Sequence, residues 1–198
     1  MQTTIARLTA TPLVLVDMDG VLADLEAGFW RQFETYHPDG PKRVDADNRQ
    51  FKLATQIDAR WVEAVAAITN APGFYASLPV VPGAAQALNA MLDAGWDVRI
   101  CTAPLLTNPT CASDKFAWAD QVLGQGWSRR VIIAKDKTLV RGDLLIDDKP
   151  VIDGDLTPTW QHVVFDATYN QDAPSPLRLT GWANWRQTLT PMLTATAA

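Results

Sequence analysis

Leu13-Val14-Leu15-Val16-Asp17-Met18-Asp19-Gly20-Val21-Leu22-Ala23-Asp24 is the stretch around which the rest of the chain is organised. Four consecutive apolar residues, two of them β-branched, read as a short strand buried on both faces. Two carboxylates, Asp17 and Asp19, stand where that strand ends. Gly20 follows and lets the backbone turn sharply and approach a ligand closely. In open α/β sheets, ligands bind beyond the carboxyl ends of the strands. Two acids there point to a cation, to a phosphate held through a cation, or to acid–base chemistry. A solvated Asp-Gly turn is the plainer reading of the same residues.

Composition sets the outer bounds. The 198 residues suit one α/β domain with room for an inserted subdomain. The apolar share, 47%, is ordinary for a globular protein and enough for a sizeable core. A net charge of −5 argues against a general electrostatic grip on nucleic acid, so no nucleic acid polymer is expected as a partner. A small phosphorylated ligand stays open, because a local metal ion can reverse the sign of a site. No apolar run reaches transmembrane length, and Met1 to Pro12 has one Arg and no long apolar core of the signal-peptide kind. The expectation is a cytoplasmic protein with no membrane association. Cys101 and Cys111 match neither a CxxC pair nor a zinc pattern and read as reduced thiols, Cys101 within a strand.

After the first strand, Asp24 is placed to cap a helix with Leu25, Phe29, Phe33 and Tyr36 at helical spacing, ended by His37-Pro38-Asp39-Gly40-Pro41. A second helix is expected from about Asp47 through Phe51, Ala54 and Ile57, and a third carries Trp61, Val62, Val65 and Ile68. This is long for a single crossover, so residues 24–79 read as a small helical cap inserted after the first strand, and residues 1–23 and 80–198 as the core. Ordinary crossover structure packed on one face of the sheet is the alternative. A helix from Ala84 to Gly95 leads to a strand over Trp96–Thr102, stopped by Ala103-Pro104. Then come a helix from about Ser113 to Leu123 and strands at Val131–Ala134, Leu144–Ile146 and His162–Phe165. Trp182, Trp185 and Leu189 mark a last helix, with a frayed end from Leu193. The alternation predicts a doubly wound, mainly parallel Rossmann-like α/β sheet.

Successive strands thus end in Asp17 and Asp19, then Thr102, then Lys135 or Lys137, then Asp147 and Asp148. Carboxylate oxygens suit Mg²⁺, while a hydroxyl and an ammonium suit a phosphate. With Asp-Met-Asp-Gly-Val, these residues resemble the four-motif pattern of the haloacid dehalogenase superfamily of phosphohydrolases. Asp17 to Asp24, Ile100-Cys101-Thr102, Asp136-Lys137-Thr138, Asp143 to Asp148, Pro82-Gly83 and Trp182-Ala183-Asn184-Trp185 extend the resemblance to the 5′(3′)-deoxyribonucleotidases.

That resemblance implies a Mg²⁺-dependent phosphomonoesterase acting on a small phosphomonoester, a nucleoside monophosphate. It makes Asp17 the nucleophile that becomes an aspartyl phosphate, and Asp19 the general acid and then base. It has Mg²⁺ held by the Asp17 carboxylate, the Asp19 backbone carbonyl and Asp147, with Asp148 orienting Lys137 or a metal-bound water. Thr102 hydrogen-bonds a phosphoryl oxygen, Lys137 neutralises charge, and Gly20, Ala103, Phe51, Lys52 and Lys135 line the substrate. A homodimer rests on the resemblance alone. The chain departs from the branch at Ala103, where a Ser is expected, and at Lys135, which replaces an Arg and loses its bidentate geometry. It departs again at Lys52, where a stacking Trp is expected beside Phe51. The substitution in the insertion keeps a sugar phosphate or another small phosphomonoester open as substrate. A receiver-like phosphorylation switch fits less well, since receivers phosphorylate an Asp after a middle strand and have no use for a second acid that speeds hydrolysis.

Overall fold

The structure, a computed structural model, describes residues 11–43 and 50–195. The leader from Met1 and the start of the second expected helix at Asp47 lie largely outside those residues. Six strands form one parallel sheet in the order β3-β2-β1-β4-β5-β6. They are β1 Leu13–Val16, β2 Asp97–Thr102, β3 Val131–Ile133, β4 Leu144–Asp147, β5 Gln161–Phe165 and β6 Arg178–Leu179. β6, only two residues long, carries no pattern that the sequence reading could detect. β1 lies between β2 and β4, so the strand order reverses beside it. In such sheets that reversal opens a crevice at the carboxyl ends of the two central strands.

The two faces of the sheet are built differently. Val14 and Val16 point into the large core with Val98, Ile100, Leu144 and Ile146, which is covered by helices. Leu15, Cys101 and Leu145 point the other way into a small cluster closed by Trp160 and edged by Val140 and Ile152. Right-handed crossovers carry the connections of the second half to this opposite face. Those connections, residues 134–143 and 148–160, hold only a 3₁₀ turn at Lys137–Leu139, so one indole seals the sheet where a helix would ordinarily lie.

On the helical face stand α3 (Ala84–Asp93), α4 (Cys111–Trp118, widening into a π turn over Ala119–Leu123) and α5 (Trp185–Ala195). α1 (Leu25–Tyr36) begins at Asp24, whose Oδ1 accepts the Ala27 amide at 2.9 Å, and it buries Phe29, Trp30 and Phe33. α2 (Val62–Thr69) buries Val65 and Ile68. The second expected helix is absent over its described part. Residues 50–57 contain a 3₁₀ turn at Leu53–Thr55, because Gln56 folds back to the Gln50 carbonyl and to Glu26 Oε1. Asp58 then caps a further 3₁₀ turn that leads into α2.

Two adjacent stretches of backbone bracket residues 24–79. The Asp24 amide donates to the Pro79 carbonyl and the Val81 amide to the Leu22 carbonyl, both at 2.8 Å. Two buried indoles brace them, Trp182 Nε1 donating to the Val21 carbonyl at 2.9 Å and Trp118 Nε1 to the Leu78 carbonyl at 2.8 Å. Asn108 Nδ2 ties down the end of α2 through the Thr69 and Ala71 carbonyls. Trp182→Phe keeps an aromatic ring but removes part of the buried bulk and leaves the Val21 carbonyl without its donor. It should lower the unfolding free energy by about 1–3 kcal/mol, read from urea titrations followed by circular dichroism. An unchanged midpoint would show that the brace contributes nothing.

Candidate active site

Every strand that ends at the crevice delivers a polar residue into one cavity of about 550 Å³. β1 delivers Asp17, whose amide donates to the Ile146 carbonyl at 2.8 Å and so locks the end of β1 to β4. The chain then winds tightly around the Met18 carbonyl, which accepts the amides of Leu22 and Ala23 at 2.9 and 2.8 Å. Gly20 has φ +79°, and a Cβ on it would collide with Asp148 Oδ2. The turn and the close approach both require glycine. β2 delivers Thr102, fully buried, and β4 delivers Asp147 and then Asp148.

Asp17, Asp147 and Asp148 each present an oxygen within 4.8 Å of the others. Lys137 lies among them, its Nζ 2.7 Å from Asp17 Oδ1 and hydrogen-bonded to Asp147 Oδ2. Burial acts to lower this ammonium, but the two carboxylates outweigh it and hold Lys137 above the ordinary lysine range. Burial, followed by repulsion from Asp17, pushes the Asp147 carboxyl up to about 6. Burial also raises Asp148, with Asp147 and Asp17 adding to the effect. The Lys149 amide donates to Asp147 Oδ1 at 2.9 Å.

Asp19 is held apart from this cluster by a cation that the sequence reading missed. Lys115, fully buried on α4, donates to Asp19 Oδ2 at 2.8 Å, to Thr102 Oγ1 at 2.7 Å and to the Ala103 carbonyl at 2.8 Å. Its Nζ also lies 5.4 Å from the centre of the Tyr75 ring. Burial raises the Asp19 carboxyl, with Lys115 opposing and Asp17 reinforcing the shift. The signal for Lys115 was its spacing: it falls between Cys111 and Trp118 on the inward face of its helix, where a lysine needs a partner. Asp19 Oδ1 is shut off from solvent with no hydrogen bond from the described residues, whereas the equally enclosed Asp17 Oδ1 faces the Lys137 ammonium at 2.7 Å.

The expected substrate-lining residues Gly20, Phe51, Lys52, Ala103 and Lys135 all border the cavity. Phe51, Lys52 and Lys135 are exposed at its rim, and Phe51 meets Tyr169, another unforeseen residue, edge-on. The Asp148 carboxylate, expected to orient Lys137 or a metal-bound water, accepts the Tyr169 hydroxyl through Oδ2, because the turn after β5 brings that ring against it. His162 bonds to the Asp147 carbonyl at 3.4 Å, behind the site, and like His37 is absent from the cavity lining.

Residues 11–196 match the family model described as 5′ nucleotidase, deoxy (Pyrimidine), cytosolic type C protein. The human cytosolic-type 5′(3′)-deoxyribonucleotidase is 42% identical over 185 residues, covering 89% of this chain and 92% of that protein. The human mitochondrial 5′(3′)-deoxyribonucleotidase is 39% identical, covering 89% of this chain and 81% of that one. Among solved structures, a HAD family hydrolase from Deinococcus radiodurans with bound phosphate and sodium superposes with a TM-score of 0.56 at 16% identity. It covers 92% of this chain and 96% of its own, a likeness of fold.

Lys115→Met keeps the buried stem and removes the ammonium, leaving the half-buried Asp19 carboxylate without its counter-charge. The variant should lose up to about 3–5 kcal/mol near neutral pH. Without Lys115 the folded protein holds the Asp19 proton to a higher pH than the unfolded chain does. The folded state then binds more protons, and the variant regains stability as pH falls. Urea unfolding at pH 7 and pH 5 should therefore show a gap to wild type that narrows at the lower pH. A gap independent of pH would mean that Asp19 is not the group left unbalanced.

Proposed function

Because the chain belongs to the 5′(3′)-deoxyribonucleotidase family, we propose that it hydrolyses (deoxy)nucleoside monophosphates through an aspartyl phosphate on Asp17, with Mg²⁺ as cofactor. The cytoplasmic location and homodimeric assembly expected above go with this reading. The observation that supports it best is the division of the two leading acids between two lysines. Asp17 is grouped with Lys137 and the acids of β4, while Asp19 is grouped with Lys115 and Thr102. An attacking group and a proton carrier need such different surroundings.

The donors present fit a hard divalent cation. They are carboxylate oxygens of Asp17, Asp147 and Asp148 gathered within 4.8 Å of one another. Asp17, Asp147 and the Asp19 carbonyl would hold Mg²⁺, beside Asp148. When bound, the ion offsets the repulsion between phosphate and nucleophile.

In the first half-reaction an Asp17 oxygen attacks phosphorus in line, the bond from phosphorus to the sugar oxygen breaks, and Asp19 gives that oxygen its proton. The raised Asp19 carboxyl suits it to carry the proton near neutral pH. In the second half, Asp19 takes a proton from water, the resulting hydroxide displaces Asp17 from phosphorus, and both acids return to their starting forms. Thr102 and the Lys137 ammonium border the cavity where charge would accumulate on the phosphoryl oxygens, while Lys115, buried behind Thr102, acts on Asp19. Phe51 and Lys52 face the leaving nucleoside from the 24–79 segment, which acts as a cap that limits water. Phosphate release across nucleoside and sugar monophosphates, with Mg²⁺ and with chelator, tests the assignment. Turnover of sugar phosphates alone would replace the nucleotide with a smaller substrate.

Two variants separate the acids. Asp19→Asn should reduce deoxynucleotide hydrolysis by at least ~10²–10⁴-fold, since a sugar alkoxide needs its proton to leave. Given p-nitrophenyl phosphate, whose leaving group needs no proton, it should release a burst of nitrophenol and accumulate phosphorylated protein. Asp17→Asn should do neither, and a phosphoenzyme in that variant would remove Asp17 as nucleophile. Phe51→Ala should lower turnover of nucleotides more than turnover of p-nitrophenyl phosphate. Equal losses on the two substrates would make Phe51 a structural residue.

A further inference from the structure

After β5 a 3₁₀ turn, Thr168–Asn170, sets a tyrosine against the acid cluster. Tyr169 donates its hydroxyl hydrogen to Asp148 Oδ2, and its ring lies edge-on to Phe51 with centroids 5.5 Å apart. The turn is itself held firmly. Asn170 Nδ2 donates to the carbonyls of Asp148 and Phe165 at 2.8 and 2.7 Å. Arg178 on β6 donates to Asn170 Oδ1 and to the Asn170 carbonyl, both at 2.9 Å, while an ion pair with Asp166 at 2.7 Å fixes its guanidinium. The short strand β6 thus anchors the turn that carries Tyr169.

The Gly20 backbone closes on the same Asp148 oxygen, so near that no Cβ fits beside it and the Tyr169 hydroxyl. Asp148 Oδ2 is enclosed between Gly20 and Tyr169, while Oδ1 accepts no hydrogen bond from the described residues. A carboxylate turns easily about its terminal torsion. Here one face of that rotation is blocked by backbone and one oxygen is occupied by a donor.

We infer that Tyr169 is a positioning residue for the divalent cation: its hydroxyl holds Asp148 Oδ2 so that Oδ1 is presented to the Asp17–Asp147 pair. This rests on the reading of those acids as a Mg²⁺ site. Hydrogen-bond partners that orient ligands in this way commonly change metal affinity by about 10–100-fold when removed. Tyr169→Phe removes only the hydroxyl and keeps the ring edge that meets Phe51.

Mg²⁺ binding measured by isothermal titration calorimetry on wild type, Asp147→Asn and Tyr169→Phe tests the inference without relying on turnover. Asp147→Asn should bind Mg²⁺ far more weakly, and Tyr169→Phe should bind it about tenfold more weakly or worse. At saturating Mg²⁺, Tyr169→Phe should regain kcat with an unchanged KM for the nucleotide. Wild-type Mg²⁺ affinity in Tyr169→Phe, beside a weakened Asp147→Asn, would overturn the role of Tyr169 alone. Unchanged affinity in Asp147→Asn would overturn the metal site, and the inference with it. A double-mutant cycle with Asp148→Asn separates positioning from general loosening. If Tyr169 acts through Asp148, its removal adds no further loss in the Asp148→Asn background, whereas additive losses would show an independent structural effect.

Discussion

The Lys137 ammonium between Asp17 and Asp147 is the interaction on which the rest of the site depends. Two carboxylates about 5 Å apart repel by roughly 3 kcal/mol at the effective dielectric of a protein interior, and three close together repel more. Burial adds to the penalty by removing water from charged oxygens. A buried cation at that point allows three acids to share the end of two neighbouring strands without unfolding the crevice. Lys137 is held there by its own 3₁₀ turn, which Asp136 caps by accepting the Thr138 amide at 2.8 Å.

A second cation repeats the device for Asp19, from another layer. Lys115 reaches the sheet from a helix, whereas Lys137 follows a strand, so the two leading acids are paired with cations supplied by different elements. Each acid therefore has its own electrostatic neighbourhood, although only Met18 separates them in the chain. A lysine that also binds Thr102 and the Ala103 carbonyl ties the ends of β1 and β2 together by polar contacts where the ladder has stopped.

What the sequence disclosed follows from how far each signal travels along the chain. Strand ends are local: an apolar run followed by Asp17, Thr102 or Asp147 reveals both the element and the position of its polar residue. The Rossmann order and the gathering of these residues into one crevice follow from parallel strands and right-handed crossovers. Lys115 required a different kind of reading, in which a charge on the inward face of a helix counts as a functional signal. Tyr169 lies two residues into a 3₁₀ turn beyond β5, and its partner is 21 positions away. The spacing of Phe51, Ala54 and Ile57 favours a helix from about Asp47, but Gln56 bonds to Glu26 and to the Gln50 carbonyl, contacts that periodicity cannot reveal.

The thin face of the sheet has a further implication. The loops from residue 134 to residue 160 both seal the core and carry Lys137. Trp160 Nε1, which helps close that face, donates to the Lys137 carbonyl at 3.3 Å. Thr138 Oγ1 accepts the Leu156 amide at 3.1 Å, and a Cβ on Gly154 would collide with Asp136 and Thr138. Surface loops ordinarily drift in length and composition as proteins diverge. Here a lengthened or shortened loop would displace the indole and the ammonium in one step. Evolutionary freedom in this molecule is therefore unevenly divided: the helical side can exchange packing residues piecemeal, whereas the loop side must change as a unit or stay as it is.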